Sequence, residues 1–265
     1  MMTNIRRWHV LAIALAVAVF LSAGCSGKSD KKEDDKKSDE KKGDTKGVGD
    51  AKPDFTLGSK EFAEEYKKDK KATEAKYKGK VVELSGTVKS VGRNISKEAF
   101  ISLDAGMKNI TGVMCFTADK QPWLKATPGQ TVKVKGKWPE FVVSPALVEC
   151  VITDVSGSGA PTLTADELGK AYATDKDATT KKYDNKYLFL TGEIAKVTFD
   201  AAKAASVTFK TSGKTKVVAN FPAFDKEETE GFKTGQKIKV LGEYSFNLAP
   251  DQVSLNLCFP VEEGK

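Results

Sequence analysis

The feature that most restricts what this chain can fold into is a repeat at one fixed spacing. Leu57 recurs as Leu163, Phe62 as Leu168, Tyr66 as Tyr172, Ala72 as Ala178, and the pair Lys76-Tyr77 as Lys182-Tyr183. Gly86 recurs as Gly192, Gly129 as Gly235 and Gly136 as Gly242, every pair 106 positions apart. Phe116 and Phe221 are 105 apart and Cys150 and Cys258 are 108 apart, so small insertions are confined to the second half of the unit. Agreement at so many sites with one offset implies a duplicated module rather than one large domain. The turn-rich run Ser156-Gly157-Ser158-Gly159-Ala160-Pro161 marks the joint. It divides a first module at 57–155 from a second at 163–265, with 156–162 as linker.

Each copy opens with a short helical segment. Ser59 stands where it would cap the first, and Phe62 and Tyr66 share one face at i,i+4. Thr164 stands as cap of the second, Asp166 and Glu167 suit its first turn, and Leu168 and Tyr172 repeat the face. Five β-rich runs follow in each copy: 81–88, 100–103, 113–117, 131–138 and 147–152, then 187–194, 206–209, 217–221, 237–244 and 253–259. The fourth run of each alternates apolar and polar residues. Gly86 and Gly192, inside the first runs, predict a bulge or sharp bend there. Five strands in roughly 100 residues, the first one bent, fit an OB barrel. The expected class is mainly β, two tandem five-stranded OB-like barrels each preceded by a short helical segment. An SH3-like small barrel is the alternative.

Ahead of the repeat, Arg6 and Arg7 precede an uninterrupted apolar run over 10–21. The run is shorter than the roughly 20 residues that span a bilayer. Ser22, Ala23 and Gly24 follow, then Cys25, the order of a secretory signal that ends at a lipid-modified cysteine. LSAGC resembles the lipobox of bacterial lipoproteins, with Ser22 where a branched aliphatic residue is usual. The resemblance implies a signal segment over 1–25 cleaved just before Cys25, lipidation of Cys25 (palmitate among the acyl chains) and an exported chain anchored in the cell envelope. Ser26 stands in place of the aspartate that favours inner-membrane retention, which by the same analogy points to the outer membrane. Residues 26–56 hold nine Lys and nine Asp or Glu with almost no apolar side chains. Such a stretch cannot bury enough surface to offset its ordering entropy. It is expected to act as a disordered tether with a reach of about 30 Å.

The formal net charge of the 265 residues is +7. Residues 57–155 carry 17 basic and 12 acidic groups, whereas 156–265 carry 15 of each. The basic excess of the folded part therefore sits in its first half and hints at an anionic partner there. His9 is the one histidine, so a chain cleaved before Cys25 has none. That excludes Ser-His-Asp and Cys-His nucleophile activation and histidine-containing zinc sites. The cysteines lack metal-ligand spacing. The sequence points to no catalytic residues, no metal and no cofactor, and an enzyme is the least favoured reading.

Leu57, Tyr66, Ala72, the run Lys76-Tyr77-Lys78-Gly79-Lys80, Gly86, Val88, Cys115-Phe116, Pro128-Gly129, Val132, Val134, Gly136 and Cys150 together resemble the tRNA_anti-like family of bacterial OB-fold proteins, many of them lipoproteins by sequence. The resemblance covers 57–152 well and 163–259 more loosely. It implies a binding or interaction protein. Nucleic acid follows only by fold analogy, since OB barrels bind oligonucleotides, oligosaccharides or proteins. Expected partners are the membrane through the lipid anchor, and an envelope protein, a single-stranded nucleic acid or another anionic polymer. The face of the second and third strands is the expected site, with Phe100 on strand two and Arg93 and Lys97 in the loop before it. Phe209 and Lys210 hold the comparable place in the second copy. In an OB barrel the third and fifth strands run side by side, which predicts a Cys115–Cys150 disulfide and a free Cys258, in an exported protein where disulfides persist. The alternative is three small buried apolar thiols.

Overall fold

The computed structural model describes residues 47–140, 143–245, 249 and 251–262. Cys25, the signal segment and residues 26–46 of the expected tether lie outside the described residues. The first module comprises β1 (Phe55–Gly58), α1 (Ser59–Lys68), α2 (Lys70–Tyr77), β2 (Val81–Arg93), β3 (Ala99–Leu103), β4 (Val113–Thr117), a 3-10 turn (Pro122–Leu124), β5 (Thr131–Lys137) and β6 (Ala146–Ser156). The second repeats the series as β7 (Thr162–Thr164), α3 (Ala165–Thr174), α4 (Lys176–Tyr183), β8 (Tyr187–Phe199), β9 (Ala205–Phe209), β10 (Lys216–Phe221), a 3-10 turn (Ala223–Asp225), α5 (Lys226–Thr229), β11 (Lys237–Ser245) and β12 (Gln252–Pro260).

Strands β2-β3-β4-β6-β5 form a ring that closes from β5 back to β2, and β8-β9-β10-β12-β11 close in the same way. The third and fifth strands of each ring pair parallel and the other ring pairs are antiparallel. This is the order of an OB barrel, twice. The short strands β1 and β7 add to β2 and β8 in parallel, outside the ring. They are three or four residues long and depend on that pairing, which leaves no pattern in the sequence.

A thirteen-residue first strand must turn a corner. β2 pairs with β5 through Thr87 and with β3 from Val88 onward, and the bulge falls between Val88 and Ser90. In β8 it falls between Ile194 and Lys196, 106 positions on. The bend is thus three residues beyond the glycines expected to make it. Gly86 and Gly192 serve another purpose. A Cβ at Gly86 would stand 2.3 Å from the Ser59 Oγ, and one at Gly192 would stand 3.1 Å from the Ala165 Cβ and 2.7 Å from Phe209. The start of the helix lies directly on the strand, and a side chain there would push it away.

The helical segment is two helices in each copy, not one. Asp69 and Asp175 open the second helices, accepting from Ala72 N at 3.0 Å and Ala178 N at 2.8 Å. Thr164 caps α3 with a full capping box to Glu167. Ser59 does not cap: Gly58 is the N-cap, and the buried Ser59 hydroxyl donates to the Asp104 carbonyl at 2.7 Å.

Strand pairing also corrects the equivalence of the third strands. Phe100 faces Phe116 and Ile101 faces Cys115, whereas Ser206 faces Asn220 and Val207 faces Ala219. Phe116 therefore corresponds to Asn220 and Cys115 to Ala219, one residue from the alignment of Phe116 with Phe221. A slip of one residue exchanges faces: Phe221 is buried, while Phe116 is half-exposed on the outer face.

Both barrels fall in one compact unit. Tyr187, Leu241 and Phe259 of the second module are buried in the same cluster as the first module's core, and Phe259 stacks on Trp123 at 5.0 Å. The linker is tied to the first barrel by Gln130 Nε2 donating to the Gly157 carbonyl at 3.0 Å and Ala160 N donating to Thr127 Oγ1 at 2.8 Å. Residues 47–56, expected to belong to the tether, also pack on this barrel. Val48 is buried, and the Lys135 ammonium donates to the Gly49 and Ala51 carbonyls, each at 3.1 Å.

Candidate binding surfaces

The β2–β3 hairpin carries the three residues that the sequence singles out. Its tip is shaped by the Asn94 carboxamide oxygen, which accepts from Ser96 N and Glu98 N. Arg93 ends β2, and its guanidinium lies over the Trp123 ring, 5.2 Å from the centroid. It donates to Glu228 at 2.5 Å and to Asp225 at 3.4 Å, both from the second module, and its side chain is 9% exposed. Lys97 pairs with Glu227 at 2.5 Å. Phe100 is half-buried, edge-on to Phe116 at 6.0 Å. A Cβ at Gly92 would meet both the Phe100 and Phe259 rings. Arg93 is thus buried at the junction with the second barrel, while Lys97 pairs across it in solvent at the exposed tip of the hairpin. The Asp225 carboxyl is pushed up to about 6, first by burial and then by Glu228.

The outer face of the second and third strands differs between copies. In the first, Phe100, Phe116 and Met114 form a part-exposed apolar strip. In the second, the Ser206 hydroxyl donates to Asn220 Oδ1, and Asn220 Nδ2 donates to Asn256 Oδ1, both at 2.8 Å. This makes a polar ladder across three strands. Phe209, expected beside Lys210 as an exposed aromatic, is buried against the Gly192 backbone and offers no stacking surface.

The second module also holds a cavity of about 850 Å³ between the start of α3, the middle of β8, Lys210, Glu228, Phe232, the start of β11 and the stretch from Pro260 to Glu262. Several charges around it are already neutralised. Lys210 pairs with Glu193, and Glu228 with Arg93. Asp166 is held at about 2 by Lys170 and the Ser212 backbone and hydroxyl. Among the described residues Lys237 and Lys239 have no carboxylate partner, and Lys239 lies over the Phe189 ring at 5.1 Å. Sequence reading missed this site because its walls come from seven separated stretches of chain. The only local signal was the alternation Lys237-Ile238-Lys239, with the isoleucine turned inward. Among the described residues no group of His, Cys, Asp or Glu could hold a metal ion.

The disulfide expected between Cys115 and Cys150 is not formed, and Cys115, Cys150 and Cys258 are buried free thiols. Parallel pairing sets Cys115 opposite Leu147, so Cys150 approaches it from three residues along, past the left-handed Glu149 (φ 53°). Burial and the neighbouring Cys115 thiol push the Cys150 thiol well above its usual value. Cys258 has no such neighbour because Ala219 stands in the place of Cys115.

The sequence model of the tRNA_anti-like family matches residues 2–152. No curated protein matches the chain. Among solved structures, the chain is similar to a lipoprotein of Klebsiella pneumoniae subsp. pneumoniae provisionally described as nucleic acid-binding, at 14% identity and TM-score 0.35, over 39% of this chain and 92% of that one. It is similar to the Ifi202 HINa domain in complex with 20-bp double-stranded DNA, at 11% identity and TM-score 0.31, over 68% and 94% of the two chains. It is also similar to a deletion mutant of the single-stranded DNA-binding protein of Thermus aquaticus, at 12% identity and TM-score 0.21, over 70% and 95%. None of these likenesses extends to function.

Proposed function

The chain belongs to the tRNA_anti-like family, and from that premise we propose that it is a non-catalytic binding protein of the bacterial cell envelope, anchored through lipid on Cys25, whose second barrel takes a polar anionic ligand. One observation carries it: the cavity of about 850 Å³ in the second module, with Lys237 and Lys239 at its wall without carboxylate partners among the described residues. The volume lies within the usual range of ligand sites. Asp166, Glu193 and Glu228 around the cavity are each paired with a cation, so Lys237 and Lys239 outnumber the one remaining lining carboxylate, Glu262, and a ligand group with negative charge completes the balance. The amide ladder of Ser206, Asn220 and Asn256 offers hydrogen bonds on a neighbouring face of the same barrel.

The test is titration of the full chain with anionic oligosaccharides and with random single-stranded oligonucleotides, against Lys237→Glu/Lys239→Glu and the cavity-filling Thr191→Trp. Binding that weakens with added salt and falls at least about tenfold in both variants supports the site, each lost charge-assisted contact being worth roughly 1.5–3 kcal/mol. Equal binding by all three chains would sink it. Whether sugar or nucleotide binds decides the ligand class. For the anchor, Cys25→Ser should release the protein to the soluble fraction or leave it unprocessed. A processed Cys25→Ser chain that still needs detergent for extraction would contradict lipidation.

A further inference from the structure

The basic excess of the first module is gathered at one corner. α1 ends and α2 begins on Lys67-Lys68-Asp69-Lys70-Lys71, all five exposed. The same corner of the second module, 106 residues on, reads Ala173-Thr174-Asp175-Lys176-Asp177. The two corners share their backbone. Asp69 and Asp175 each cap the following helix, and Thr73 and Thr179 are buried behind them. The fold thus requires the aspartate and not the lysines, which changes the segment from a net charge of −1 to +3. Lys67, Lys68 and Lys71 have no carboxylate partner among the described residues. The β3–β4 loop brings Met107 and the exposed Lys108 alongside, and Glu64, Lys67, Lys68 and Met107 line a shallow recess. A basic rim around a part-exposed thioether suits the boundary between lipid headgroups and acyl chains.

The start of β1 lies on the same end of the barrel as this corner. Asp54 leads into β1 and ties that segment to the start of β2, just after α2. Its backbone N donates to the Val81 carbonyl at 2.8 Å, and its carboxylate accepts from Val81 N at 2.8 Å. Val81 follows the C-terminal end of α2, so the start of β1 is about one eight-residue helix length, roughly 12 Å, from the lysines. We propose that this lysine corner rests on an anionic phospholipid surface and orients the anchored protein on it. The proposal rests on the reading that Cys25 carries lipid: a short tether keeps the corner at high effective concentration over the same leaflet. Each lysine near such a surface is worth about fivefold in partitioning.

The experiment uses the full chain carrying Cys25→Ser, so that no acyl anchor contributes. It is sedimented with phosphatidylcholine vesicles with and without phosphatidylglycerol, at low and high salt. The comparison chain adds Lys67→Ala, Lys68→Thr and Lys71→Asp, copied from the second module, and a further chain adds Lys→Gln at the same three places. The signal segment is common to all, so their difference reads the corner alone. The expected result is preference for phosphatidylglycerol vesicles, lost in high salt and reduced more than about tenfold in both variants, with unchanged melting temperature. Variants that sediment as well as the parent, no preference for the anionic lipid, or dependence on these lysines for oligonucleotide but not vesicle binding would each overturn the proposal. Failure of lipidation in cells would remove the anchor and leave the vesicle result to stand by itself.

Discussion

A methyl group at Gly136 would meet the Cys150 sulfur at 2.6 Å and the Leu147 Cβ at 2.9 Å, and one at Gly242 would meet Cys258 at 2.5 Å and Leu255 at 3.0 Å. Gly136→Ala should therefore overpack the barrel and cost about 1–3 kcal/mol, read as a lower melting temperature, and Cys150→Ala in the same chain should recover part of it. The recurrence of glycine and cysteine is plain in the sequence, but their contact is not. It is made by the left-handed backbone at Glu149 and Leu257, 108 positions apart, which no residue type announces. Asp225 was equally illegible, because its burial depends on a residue 132 positions away. Its carboxyl titrates at about 6, above the ordinary 3.8. A carboxyl raised in the folded state holds its proton more tightly there than when unfolded. Its stabilisation is complete below about pH 4 and is lost as pH rises through about 6. Asp225→Asn should flatten that part of the stability profile, measured by thermal unfolding between these limits, and an unchanged slope would assign it to other groups.

At the scale of elements, the five strands of each barrel were legible because their β-rich runs are long and punctuated by glycine. The register of β10 was not, since both alignments of Phe116 leave plausible strands and only pairing with β9 decides between them. The β2–β3 hairpin was placed correctly and given the wrong neighbour. Its arginine and lysine look like ligand contacts until the acidic turn at Asp225 to Glu228 is brought across the chain. The two pairs differ in depth, and so in consequence. Arg93→Met leaves the buried Asp225 without its cation and should cost about 3 kcal/mol. Lys97→Met breaks a pair whose glutamate is 80% exposed and should cost less than about 1 kcal/mol. Urea unfolding of the two single variants decides the order, and equal losses would mean that the Arg93 pairs are solvated.

At the scale of the molecule, duplication was the clearest message of the sequence and sharing of a core was the hidden one. Repeats report what each copy has in common, whereas the stack of Trp123 on Phe259 lies between residues that have no counterpart in each other's module. A fragment of residues 47–161 has a closed ring of its own and should fold, but with Trp123 uncovered. It should melt below the full chain and show red-shifted tryptophan emission, and a fragment as stable as the parent would reduce the junction to a passive contact. That junction also has a direction. The hairpin of the first barrel receives the acidic turn of the second, while the corresponding hairpin of the second barrel ends β8 on Phe199, 44% exposed, in place of Arg93. Head-to-tail contacts of this kind can propagate into open arrays when every unit carries both ends. Here only half of the receiving pair recurs: Lys203 stands in the place of Lys97, but Phe199 replaces Arg93, so the second hairpin lacks the buried cation that holds Asp225 and offers an acidic turn only the weaker, exposed contact.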